Sequence, residues 1–445
     1  MFEIDYKSSN YEIRADLEAA HQRAWAALAK PGTWLTGAER IAVAREIRHV
    51  PDCELCQGQN AALSPSAVEG THDSVTDIPA AYVEIIHRVT NDPTRLSKFW
   101  FEGVIASGLA ETVYVEIVAV IGIVHSVDVF CRTLDIPAPA LPAPVSGQPT
   151  RIRPVGAKHL DHLVATLVPE DLTLGDTDIY ADSNAANIYR ALSLVPDEVR
   201  TFRDLDDHLY LPANDIFDLE TDYRAISHAQ IELIAGRVSA NNQCLYSATS
   251  HAVLLRASGE HDNVDYDLAD LKDGTGGGVE DGELLIRFVD TVMNLNADAP
   301  AVDKAEIRDV LGEAALVDIA AVIATFEATD RIADATGTPL EDYKEAVTVA
   351  LEKRNWFLNV EAEQNDVGVL DGVIPAFESH LAGVFRALLA VTFDEIGVGD
   401  GFGGNEAALE ISVNFTGRWC SGGARRDGPG AAFLRPGGKE GDQIE

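Results

Sequence analysis

The strongest constraint on the fold is that parts of the sequence occur twice. VEIVAVI at 115–121 returns as VDIAAVI at 317–323, and GTHD at 70–73 returns as GEHD at 259–262. Cys53 and Cys244 occupy the same relative position, a little under 200 residues apart. Three landmarks in one order at nearly one offset point to a diverged tandem duplication, so whatever one half folds into, the other should resemble. Between the copies lies IPAPALPAPVSGQPTRIRP, residues 136–154, whose six prolines forbid a regular helix and read as a stiff, extended linker. The expected division is a first repeat over 1–136, a linker over 137–154, a second repeat over 155–345 and a C-terminal extension over 346–445.

Both copies read as helical. AERIAVAREIRHV and AQIELIAGRVSA space their apolar residues three and four apart, and strand-like alternation is scarce. The most apolar window, residues 113–130, is broken by Glu116, His125 and Asp128, which suits a buried core helix better than a membrane span. GTGGG at 274–278 reads as a loop, IPAFESHLAGVFRALLAVTF as a helix, and the Gly- and Pro-rich end as disordered.

With 72 acidic against 34 basic residues, the net charge is −38, and such a surface repels phosphate backbones and anionic lipids. No nucleic-acid or membrane partner is expected. MFEIDYKSSN has no basic, then apolar, export signal, so the expected location is cytoplasmic. Five cysteines are too few for a disulfide scaffold. In a reducing compartment the Cys53/Cys56 pair of CELCQGQN therefore points to redox chemistry or a metal site. A cysteine opening a helix meets unpaired amides and the positive end of the helix dipole, which favours thiolate. A zinc site needs two further ligands, and no second CxxC or HxxxH supplies them, so no metal or cofactor is assigned. Cys131 reads as a core thiol, and Cys420 has no assignable role. GVGDGFGGN at 397–405 holds a formal GxGxxG, but Asp400 would repel a pyrophosphate and no strand precedes it.

In the second copy, ELIAGRVSANNQCLYSATSH places Cys244 twelve residues after Glu232, then Ser247, then His251. This arrangement resembles the alkylhydroperoxidase D-like branch of the carboxymuconolactone decarboxylase superfamily, whose motif is Glu, CxxC and His. NIYRALSLVPDEVRTFRDL at 187–205 and FEATDRIADATGTPLED at 326–342 resemble that family's entry and closing helices. The resemblance implies an all-α fold of two tandem alkylhydroperoxidase D-like helical repeats with a C-terminal extension, a homo-oligomer, and thiol-dependent reduction of a small-molecule hydroperoxide. It also implies a dithiol or protein reductant and makes the second cysteine of CxxC peroxidatic, the first its disulfide partner. Such chemistry needs a thiolate, a second thiol and a Glu/His proton relay.

Matched residue by residue, the motif is split. The first copy keeps Cys53 and Cys56 but has Asn60 at the His position and Ile41 at the Glu position, with Glu39 and Glu46 as flanking substitutes. The second keeps Glu232, Cys244 and His251, with Ser247 in place of the second thiol. His72 and His261, from the repeated GxHD segments, read as helix caps or residues at the site mouth. Alternatives are a carboxymuconolactone-type lyase using Glu232 and His251 on a small organic acid, or a pseudoenzyme serving binding or assembly.

Overall fold

A computed structural model describes residues 4–7, 9–180, 185–266, 275–293 and 302–341. The expected helix at 374–393, the glycine-rich 397–405, Cys420 and the tail lie outside these residues. Among the described residues there are thirteen helices and no strand, so the fold is all-α.

The first six helices are α1 (Ala15–Ala29), α2 (Gly37–His49), α3 (Glu54–Ala61), α4 (Ala80–Asn91), α5 (Lys98–Ala106) and α6 (Glu111–Thr133). After the short α7 (Asn187–Arg190), a second set follows: α8 (Pro196–Leu209), α9 (His228–Asn241), α10 (Leu245–Asp262), α11 (Gly282–Met293), α12 (Lys304–Leu311) and α13 (Glu313–Thr336). Like starts with like. Thr36 and Glu39 form a capping box on α2, and Ser227 and Gln230 form one on α9. Glu39 is thus a helix cap, and Ile41 is core. Cys53 and Cys244 are the N-caps of α3 and α10, the position expected from sequence.

The long apolar helices α6 and α13 carry the repeated VEIVAVI and VDIAAVI segments and pack on each other at the centre. Close approach is possible because Gly122 has no Cβ: one would lie 2.8 Å from Ile332 Cδ1. Tyr114 Oη donates to the Ala335 carbonyl at 2.7 Å. α6 is long and apolar enough to cross a bilayer, but 89% of its most apolar window is buried inside the protein, as a core helix should be.

The polar residues that interrupt the α6 run have distinct environments. Glu116 accepts from Arg40 Nη1 on α2 at 2.8 Å, and Arg40 also binds Glu198 of α8. All three are buried. Asp128 takes both prongs of Arg48, each at 2.7 Å. His125 is half-buried, and desolvation of its ring holds its pKa well below the ordinary value.

The two sets share one apolar core rather than forming separate bodies. The proline-rich stretch has no helix, as expected, but it is not a free spacer. Val145 N donates to Ala29 O and Arg151 N to Thr33 O, each at 2.8 Å, while Trp25 and Arg48 reach its carbonyls at Ala140 and Pro139.

Candidate metal and thiol centre

A short 3-10 turn, Val50–Asp52, carries Pro51 and ends α2's run; the chain then turns into α3 at Cys53. That places Cys53 at the helix mouth and Cys56 in the first turn. Asp73 Oδ2 accepts from Glu54 N at 3.2 Å, holding the following loop against the same helix end. The loop delivers His72, and α4 delivers His87.

His72 Nδ1 lies 3.6 Å from Cys53 Sγ and 3.4 Å from Cys56 Sγ; His87 Nδ1 lies 3.2 Å from Cys56 Sγ. The four ligand-type atoms all lie within 4.8 Å of one another. Each imidazole is held from behind by a carboxylate: His72 Nε2 faces Glu84 Oε2 at 3.2 Å, and His87 Nε2 faces Glu46 Oε2 at 3.4 Å. Glu46 Oε1 in turn accepts from Ser74 Oγ, Val75 N and Thr76 Oγ1 at 2.5, 2.9 and 2.6 Å. Trp100 Nε1 donates to Glu84 Oε1 at 2.8 Å. Cys53 is 0% and Cys56 1% exposed, so the sulfurs are closed off.

The electrostatics follow from this packing. Burial alone would push the Cys53 thiol up, but the Cys56 amide, the His72 ring and the Asp73 amide outweigh it and hold the thiol below its ordinary value. Burial pushes Cys56 up, and its neighbour Cys53 adds to the rise. Burial also opposes charge on His72, yet Glu84 and Cys53 raise its pKa; His87, buried and beside His72, is lowered. Glu46 stays below the ordinary carboxyl value despite burial, because Ser74, Thr76 and His87 bond to its anion.

The corresponding segment of the second helix set is arranged differently. His251 Nδ1 lies 2.7 Å from Glu232 Oε2, and Tyr210 Oη donates to Glu232 Oε1 at 2.5 Å. Phe326 packs edge-on against His251 with centroids 4.1 Å apart. Cys244 is turned to Ser247, its Sγ 3.7 Å from the hydroxyl. Its thiol is pushed well up by burial and by Asp334 and Asp330.

The sequence-derived candidates therefore divide. Cys53, Cys56, Glu46 and His72 converge, and His72 sits at the centre rather than at a cap. Asn60 is exposed on α3, its carbonyl accepting from Arg95 Nη2 at 3.3 Å, and takes no part. His261 ends α10 beside Glu220 and Asp262, not in a loop like His72. Cys131 is a core thiol near Tyr6 Oη. His87 and Glu84 were not foreseen; their spacing of three residues on one helix was the available signal. The chain matches no family model, no curated protein and no solved structure.

Proposed function

We propose that the chain is a cytoplasmic thiol-dependent oxidoreductase of two alkylhydroperoxidase D-like repeats, with its redox pair at Cys53 and Cys56. The observation that carries this reading is the line Cys56–His87–Glu46. Its steps of 3.2 and 3.4 Å supply a thiol–imidazole–carboxylate relay where the first copy's sequence has neither motif Glu nor motif His. Cys53, at the helix mouth, is the attacking thiolate, which reverses the order implied by the resemblance.

Cys53 sulfur attacks the outer oxygen of a hydroperoxide, the O–O bond breaks, and protonated His72 supplies the proton that completes the alcohol. The Cys53 sulfenic acid is then attacked by Cys56, whose proton passes to His87 and on to the departing hydroxide. Disulfide and water result, and a dithiol or protein reductant restores both thiols. Because neither sulfur is exposed, the loop that carries His72, which Glu46 latches through Ser74, Val75 and Thr76, opens to admit the oxidant and closes again before His72 acts.

The second copy lacks a second thiol and cannot form such a disulfide. Its Glu232–His251 pair is satisfied by Tyr210 and buried, which favours a helix-joining role over a lyase site. Thiol titration of metal-free protein before and after one equivalent of hydroperoxide tests the reading. Loss of two thiols is expected, and Cys56→Ser should stop at a sulfenic acid on Cys53. Unchanged thiols would refute it.

A further inference from the structure

We propose that reduced Cys53 and Cys56, with His72 and His87, hold one zinc ion. Zinc–sulfur bonds of about 2.3 Å and zinc–nitrogen bonds of about 2.0–2.1 Å set tetrahedral S···N edges near 3.6 Å. Three of the four sulfur–nitrogen separations are 3.2, 3.4 and 3.6 Å, and the fourth, Cys53 to His87, lies within 4.8 Å, so the ligands stand close to the spacing an ion would impose. Both histidines turn Nδ1 inward and give Nε2 to a glutamate, the outer-shell pattern that orients and strengthens metal-bound imidazole. Two thiolates and two imidazoles select a soft or borderline ion over magnesium or calcium, and the thiolates neutralise its charge. With four protein ligands and no exposed sulfur, the site is of the closed, structural kind.

One consequence rests on the thiol reading above. Oxidation removes two of the four ligands, so the ion leaves as the disulfide forms. The bound ion, its two thiolates, one hydroperoxide and two protons become the disulfide, free zinc, an alcohol and water. The ion then marks the reduced protein, and its release reports oxidant.

The test uses the full chain, reduced and demetallated, titrated with cobalt(II) as a spectroscopic stand-in and with zinc against a chromophoric chelator. One ion per chain is expected, with the thiolate charge-transfer and tetrahedral ligand-field bands of an S2N2 site. Cys56→Ser and His87→Ala should each weaken binding at least about 100-fold, and Glu46→Gln about 10- to 100-fold. Cys131→Ala should leave the spectrum unchanged. Circular dichroism of the apo variants separates lost ligands from lost fold. Absence of the bands in folded wild type, or bands that persist in Cys56→Ser and His87→Ala, would overturn the proposal. Cobalt binding without peroxide-driven release or thiol loss would uphold the metal site and refute the redox reading. Thiol loss without cobalt binding would do the reverse.

Discussion

Arg40→Met tests the buried ion triad that joins the two helix sets. Arg40 is 1% exposed and faces Glu116 through Nη1 and both oxygens of Glu198 through Nη1 and Nη2. Without the guanidinium, Glu116 still accepts from Trp34 N at 2.6 Å and Leu35 N at 3.3 Å. Glu198 loses the partner of both oxygens while 3% exposed, so it is the stranded charge. Removing one partner of a buried pair costs about 3–5 kcal/mol. The pH dependence has a definite sign. Burial, then the Glu198 charge, raises Glu116 to about 7 even against the pull of Arg40. A carboxyl raised in the folded state loses stability as pH climbs from the unfolded value through the folded one. Losing Arg40 removes that pull and raises Glu116 further, so the defect should be small near pH 4.5, where the carboxyl is protonated in both folded proteins, and should grow as the pH climbs past about 7 towards about 9. Urea unfolding followed by far-ultraviolet circular dichroism at both pH values measures it. Adding Glu198→Leu should recover most of the loss at high pH. A single variant within about 1 kcal/mol of wild type at high pH, or a double variant worse than the single, would refute the reasoning.

Gly32→Ala should strike the same triad, because its Cβ would fall 1.9 Å from Glu116 Oε1; urea unfolding should show a loss of about 1–3 kcal/mol. Asp206, buried and raised to about 7, accepts from Tyr189 Oη at 2.7 Å. Its ionisation should lower stability between about pH 4 and 7 by up to about 4 kcal/mol, and Asp206→Asn should flatten that slope. Stripping zinc should lower the melting temperature in calorimetry, by a free energy of about 4 kcal/mol relative to free zinc at about 1,000 times Kd. Tyr210→Phe, which leaves Glu232 one donor short, should cost about 1–2 kcal/mol in urea and leave peroxide-driven thiol loss unchanged.

Local features were the legible ones. Three-and-four apolar spacing foretold α2 and α9, and three polar residues inside an apolar run marked α6 as core. The cysteines fell at helix starts because the preceding helices run out just before them. What sequence could not give is which separated segments meet. The motif places its His four residues past the second Cys, on the same helix, but here that residue is exposed Asn60. The imidazoles come from the loop after α3 and from α4, at spacings no short pattern contains. Glu46 was within reach because it shares α2 with the motif Glu position, but its partner His87 was not. The linker looked independent because proline denies helix, yet extended backbone can still bond sideways, as Val145 and Arg151 do.

The shared core has a consequence for the chain's history and handling. Cutting at the proline stretch would bare α6 where α13 covers it and leave Arg40 without Glu198, so neither piece should stand as a soluble product. The second helix set thus cannot be removed without unmaking the first, because it walls it in.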